Sequence, residues 1–342
     1  MNQVSDFRSD TVTRPTPSMY EAMATAPLGD DVFGDDPTVI KLQEEASALF
    51  GKEAGLFVPS GTMGNQIAVR VHTNLGDELI VEESCHTFLY EQGGVAQISG
   101  VQARTLKGVR GQMDLDEVRS SIRLDNEHFP VTSLIIVENT HNGSGGSVLP
   151  NGYVAAIRGI ADENRMSVHL DGARIFNAVA QSGHSPAELA AAAHSVTFCL
   201  SKALSAPIGS VLLGTHEFIR QARRVRKVLG GGMRQVGILA AAGLVALQEM
   251  PQKLSADHER AAALYRGFTA LGQVTCEAPE TNMIYVELEG FSAPDVAESL
   301  KEQGVLVAAT GPQTLRFVTH KDIDDTDVAR AIAALADVVV EG

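Results

Sequence analysis

Residues 197–210 read TFCLSKALSAPIGS. With Val196 before it, the apolar run through Phe198 and Leu200 reads as a buried strand over 195–200. The run ends at Ser201-Lys202 and the chain then breaks at Pro207 and Gly209. An amine at the end of a buried strand needs a use, because a charge taken out of water without a partner is costly. One reading is a lysine that leaves the strand and snorkels to solvent. The other is an amine held in a crevice, where it acts as a nucleophile toward a carbonyl and forms a Schiff base.

On either side of this stretch, short β-branched runs alternate with helical patterns. Strands are predicted at 55–58, 78–82, 134–138, 167–170 and 210–214, with helices such as 154–164 and 216–227 between them. That rhythm predicts a doubly wound α/β domain with a mainly parallel sheet. After a helical stretch at 235–250, Pro251 and the segment Asp257-His258-Glu259-Arg260 open a different order: helix, strand (282–288), helix (294–303), strand (315–318), helix. This suits a smaller α+β domain. Pro15, Pro17, Pro27 and Pro37 mark the first 50 residues as an arm and one helix. The expected division is therefore 1–50 arm and helix, 51–250 large domain, 251–342 small domain.

The 342 residues carry 27 basic and 42 acidic side chains, a net charge of -15 that argues against unspecific binding to nucleic acid or anionic membranes. The start MNQVSDFRSD has no apolar core of a signal peptide, and no apolar run reaches the roughly 18 residues of a membrane span. A cytoplasmic protein is expected. The three cysteines, Cys85, Cys199 and Cys276, encode neither a disulfide framework nor a CxxC metal site, and no metal is expected.

Ligands of open α/β sheets bind beyond the carboxyl ends of the strands, so the residues there matter most. LFVPSGTMGNQIAV, residues 56–69, puts Ser60-Gly61-Thr62 between a strand and a helix, where backbone N–H groups suit a phosphate. It is neither a GxxxxGK[ST] loop nor a GxGxxG fingerprint, which leaves a dinucleotide oxidoreductase without its main signal. VHLDGARIF, residues 168–176, puts Asp171 at a strand end, either to cap the next helix or to hold a cationic ring nitrogen. EESCHTFLYEQGG, residues 82–94, supplies His86 at the same edge. A phosphate cradle, a carboxylate for a ring nitrogen and a Schiff-base lysine are the three contributions that pyridoxal phosphate requires of a protein.

The chain also resembles a known family. FRSDTVTRPT, GDDVFGDDPT, FVPSGTMGN, VENTHNG, HLDGARIFNAV, CLSKALSAPIGS, RKVLGGGMRQVGILAAAG, TNM and LRFVTH, spread from residue 7 to residue 320, are similar to segments of the low-specificity threonine aldolases. The resemblance implies the pyridoxal-phosphate-dependent aspartate-aminotransferase fold, with a mainly parallel seven-stranded sheet and a smaller C-terminal α+β domain. It implies Lys202 as the lysine that carries the cofactor, Asp171 on the pyridinium nitrogen, His86 stacked on the ring, and Gly61 and Thr62 at the phosphate. Arg174 and Arg316, with Ser9, would hold the substrate carboxylate, and His128 in NEHFPVTSL would lie near the substrate hydroxyl; His86 or His128 is the candidate base. Lys227 and Arg234 would reach the cofactor phosphate of a neighbouring subunit in a homo-oligomer, a dimer of dimers. Cations at the end of a helix before three glycines also have a plain structural reading, complementing the helix dipole.

The implied reaction is retro-aldol cleavage of threonine, allo-threonine and related β-hydroxy-α-amino acids to glycine and an aldehyde. A β-eliminating lyase or an aminotransferase would use the same lysine and aspartate, and a binding protein without turnover would keep the cofactor alone. The chain departs from many relatives at Ala203 and Ser205, where SKGLGAP is common, and at Ser144-Gly145-Gly146, which enlarge a loop. Both changes bear on the entrance and on side-chain preference.

Overall fold

The computed structural model describes residues 4–340. Its main sheet has seven strands: β1 (Ala54–Val58), β2 (Glu78–Glu82), β3 (Gln102–Leu106), β4 (Thr132–Glu138), β5 (Ser167–Asp171), β6 (Ser195–Cys199) and β7 (Ser210–Gly214). They lie in the order β1-β7-β6-β5-β4-β2-β3. All neighbours are parallel except β7, which runs against both β1 and β6. Residues 200–209 are too few for a parallel crossover of a dozen or more residues, so the chain returns as an antiparallel neighbour and the connection that holds Lys202 lies at the carboxyl end of β6.

Helices cover both faces of this sheet, which is why most of its strands read as continuous apolar runs rather than alternating ones. Strand β3 is the exception and escapes the sequence pattern. It is an edge strand, paired only with β2, and Gln102, Arg104 and Thr105 face solvent in whole or part, with Arg104 Nε donating to Glu78 Oε1 at 3.0 Å. Residues 17–49 form two helices where the sequence predicts one: α1 (Pro17–Thr25) and α2 (Pro37–Leu49). Pro17 and Pro37 look like breakers but sit in the first turns, capped by Thr16 and Asp36, where a missing N–H costs nothing.

A second core lies around an antiparallel sheet of β8 (Val274–Cys276), β9 (Met283–Leu288), β10 (Ala308–Ala309) and β11 (Thr314–Val318), ordered β8-β9-β11-β10. The N-terminal segment belongs to it: Ser5–Asp6 pairs in parallel with Val305–Leu306, and Phe7 is buried with its ring 5.9 Å from Phe317. That anchoring carries the next residues, Ser9 and Asp10, toward the main sheet. Among the described residues no helix is long and apolar enough to cross a membrane.

Candidate active site

Strand β1 turns at Ser60 into α3 (Gly61–His72), whose first turn is capped by the Ser60 hydroxyl, accepting from the Met63 N–H at 3.2 Å. The N–H groups of Gly61 and Thr62 belong to that first turn and have no acceptor within the helix. The helix start packs closely on the sheet. A Cβ on Gly61 would lie 2.9 Å from Cys199 Sγ, and one on Gly64 2.7 Å from the Thr197 side chain.

These backbone groups open on a cavity of about 180 Å³ lined by Ser60, Gly61, Thr62, Asn65, His86 and Asp171, with Ala173, Cys199, Ser201 and Lys202 closing it. Thus five residues singled out from sequence, Gly61, Thr62, His86, Asp171 and Lys202, meet at one place. Lys202 is half-buried, and its carbonyl is fixed by two contacts: the Ser205 N–H donates to it at 2.8 Å and the Thr13 hydroxyl at 3.2 Å. Ser205 itself adopts φ 63°, the left-handed region that favours glycine. The turn survives with serine at that position, at a cost of about 1–2 kcal/mol in backbone strain.

Asp171 is buried, and its oxygens accept from Asn65 Nδ2 at 2.7 Å and the Ala173 N–H at 3.1 Å. His86 begins a single helical turn, His86–Leu89, anchored by its own N–H on Glu138 Oε2 at 2.7 Å. Its Nδ1 lies 3.1 Å from Oε1 of the buried Glu91. Burial pulls the imidazole pKa down, but the hydrogen bond to Glu91 and the charge of Asp171 outweigh it and raise the pKa above the ordinary histidine value. One ligand-type atom each from His86, Glu91 and Asp171 lie within 4.8 Å of one another. The Asn65 amide nitrogen donates to both carboxylates, to Glu91 Oε1 at 2.9 Å and to Asp171 Oδ2 at 2.7 Å.

Beside the cavity, Ser9, Arg174 and Arg316 come together through two residues that the sequence reading missed, Asp10 and Asn142. Arg174 is buried and spends its fork on Asp10, with Nε on Oδ2 at 2.8 Å and Nη2 on Oδ1 at 2.7 Å. Asn142 Oδ1 accepts from Arg174 Nη1 at 3.2 Å and Arg316 Nη1 at 3.4 Å. Arg316 Nη2 donates to the Arg8 carbonyl at 2.9 Å, and its Nε is buried without a partner among the described residues. Ser9 Oγ lies 3.4 Å from Asp10 Oδ1. Burial pushes the Asp10 carboxyl up, but the charge and hydrogen bonds of Arg174, with the charge of Lys202, override this and bring it down to about 2.

A depressed carboxyl pKa contributes stability that is full above its ordinary value near 3.8 and is lost as pH falls toward about 2. Asp10→Asn keeps the shape and leaves the Arg174 guanidinium buried and unpaired, so a loss of about 3–5 kcal/mol is expected at pH 7. Urea unfolding of both proteins at pH 7 and at pH 3 checks this, with a difference that narrows in acid.

Three further residues singled out from sequence neither line the cavity nor join the arginine cluster beside it within this chain. The His128 side chain is 77% exposed and lies 3.9 Å from Glu127. Lys227 is exposed near the end of the helix His216–Val228, and Arg234 pairs at the surface with Asp30 at 3.0 Å. The buried cation of that helix is Arg226, which donates to the Phe57 carbonyl at 2.7 Å and ties the helix to β1. The loop of Ser144 and Gly145 lines a wider cleft of about 840 Å³, together with Tyr90 and Tyr285, and Tyr285 Oη donates to the Asn142 carbonyl at 3.2 Å.

A lysine, a buried carboxylate and a helix N-terminus thus meet around one cavity at the carboxyl edge of this α/β sheet. The family described as beta-eliminating lyase matches residues 6–290. The chain is 46% identical over 332 residues to low-specificity L-threonine aldolase 1 of Arabidopsis thaliana, covering 94% of this chain and 93% of that one. It is 42% identical over 329 residues to the low specificity L-threonine aldolase of Escherichia coli K12, covering 96% and 97%. The solved threonine aldolase of Leishmania major shares the fold with a TM-score of 0.84 at 19% identity, over 98% of this chain and 99% of that one. The chain belongs to the low-specificity L-threonine aldolase family of the beta-eliminating lyases, a pyridoxal-phosphate-dependent family.

Proposed function

We propose that this protein cleaves the Cα–Cβ bond of L-threonine, L-allo-threonine and related β-hydroxy-α-amino acids, giving glycine and an aldehyde. The observation that carries this reading is the convergence of Lys202, Asp171 and His86 on one cavity, in a chain of this family. The residues present fit pyridoxal phosphate: the N–H groups of Gly61 and Thr62 suit its phosphate, Asp171 a protonated ring nitrogen and the Lys202 amine its aldehyde. When bound, the cofactor supplies a sink for the electron pair of the broken bond.

Every other contribution comes from side chains of the chain itself. Arg316 offers the substrate carboxylate a guanidinium whose Nε has no partner of its own. Arg174, its fork engaged by Asp10, acts on the same carboxylate mainly by orienting Asn142 and Arg316. With the substrate held this way, the bond to be broken is chosen by geometry. His86 holds Nδ1 against Glu91, which leaves Nε2 to accept the proton of the β-hydroxyl. The exposure of His128 favours His86 as the base. We further assign the working form as a homo-oligomer, a dimer of dimers, in which Lys227 and Arg234 serve the cofactor phosphate of a neighbour; their exposed positions away from their own cavity support this.

The test is incubation of the purified protein and cofactor with L-threonine. Glycine and acetaldehyde are expected in equal amounts, with no keto acid required or formed. Release of ammonia and a keto acid instead would favour β-elimination, the reaction for which the matching family is described.

A further inference from the structure

Behind the cavity a line of polar side chains runs from the half-buried His72 at the far end of α3 to Asp171, and the reaction as derived above gives no role to His72, Ser195, His169 or Asn65. Asn65 Nδ2 donates to two carboxylates at once, Asp171 Oδ2 at 2.7 Å and Glu91 Oε1 at 2.9 Å. His169 Nε2 lies 3.1 Å from Asn65 Oδ1, Ser195 Oγ lies 2.8 Å from His169 Nδ1, and His72 Nε2 lies 2.7 Å from Ser195 Oγ. Asn65, His169 and Ser195 are all buried.

The direction of every proton in this line follows from its end. Carboxylates only accept, so both N–H groups of Asn65 point at Asp171 and Glu91 and its carbonyl oxygen points at His169; a flipped amide would set that oxygen against two anions. His169 must then carry its proton on Nε2. Burial brings its pKa down to about 4, so the ring is neutral and Nδ1 is a bare acceptor. The Ser195 hydroxyl donates to that Nδ1, and its oxygen accepts from the Nε2–H of His72, whose pKa burial brings down to about 3.

We infer that Asn65 is a positioning residue, locked in one orientation by the chain His72–Ser195–His169, and that it holds the Asp171 and Glu91 carboxylates side by side beneath the cofactor site. Through Asp171 it sets the partner of the ring nitrogen, and through Glu91 it sets the orientation of His86. Two carboxylates in one buried corner repel each other. The bridging amide offsets that repulsion with two charge-assisted hydrogen bonds. Gln66 supports the same arrangement, its Nε2 donating to Glu91 Oε2 at 2.6 Å. The inference rests on the proposed function where it refers to the ring nitrogen; the hydrogen-bond chain itself does not.

Two measurements on the full-length oligomer separate these levels. The imidazole ¹⁵N shifts of the cofactor-free protein are expected to show His169 and His72 both as the neutral Nε2–H tautomer, and an Nδ1–H tautomer at His169 overturns the inference whether or not the cofactor binds. Titration with pyridoxal phosphate, read by its visible absorbance, then compares wild type with Asn65→Ala, Asn65→Asp and Ser195→Ala. Cofactor affinity is expected to fall about 10- to 100-fold in Asn65→Ala, the range for charge-assisted hydrogen bonds. It falls further in Asn65→Asp, which keeps the shape but replaces the donor with a third carboxylate, and it falls less in Ser195→Ala. An Asn65→Asp protein that folds and binds the cofactor as tightly as Asn65→Ala overturns the donor role. Failure of the wild type to take up cofactor overturns the proposed function, and leaves the chain to be decided by its tautomers.

Discussion

Lys202→Ala is expected to fold as the wild type does and to lose threonine cleavage by at least about a thousandfold, since the amine that would hold the cofactor covalently is gone. Among the described residues the Lys202 side chain makes no hydrogen bond, whereas its backbone does, through Ser205 and Thr13. Alanine keeps those backbone contacts. Circular dichroism and thermal unfolding should therefore coincide with wild type while acetaldehyde release disappears. Loss of folding together with activity would show Lys202 to be structural, and full activity would remove it from the reaction.

Asp171→Ala is expected to have the next largest effect. The carboxylate is the acceptor for Asn65 and for the Ala173 N–H, and it faces the cavity from the end of β5. Without it, a protonated ring nitrogen has no counter-charge, and an opposite charge at this range typically moves a pKa by about 1–3 units. The ring would then lose its proton near neutral pH. Breaking a buried charged pair costs about 3–5 kcal/mol, which corresponds to roughly 10²–10⁴-fold in the cleavage rate. The visible absorption of the bound cofactor, followed with pH alongside the rate, checks this. An unchanged spectrum and rate would mean that Asp171 serves only to cap the following turn.

Much of this arrangement was legible in the sequence, for definable reasons. Strands β4 to β7 are buried on both faces, so their apolar runs stand out, and the residues at their ends stand out with them: Asp171 as the last residue of β5, Lys202 just after β6. The phosphate-side turn was readable because Ser60-Gly61-Thr62 follows β1 directly. Strand β3 was not readable, because an edge strand has one neighbour and keeps polar residues toward solvent.

The residues that hold the site together were hidden for another reason. Asp10, Asn142 and Asn65 act through partners far away in the chain, Asp10 on Arg174 and Asn65 on Asp171, and no local period records such pairs. Asn65 left one trace, a polar residue on the sheet-facing side of α3 among Ile67, Ala68 and Val69. The two exposed cations, Lys227 and Arg234, and the exposed His128 show the limit of a single chain, since their expected partners lie in another copy or on the substrate.

The account depends on one covalent attachment, and reduction of the cofactor-loaded protein with borohydride followed by peptide mapping tests it most directly. The cofactor is expected on Lys202 alone, with one equivalent per chain. Label on a different lysine, or none on any, contradicts the account.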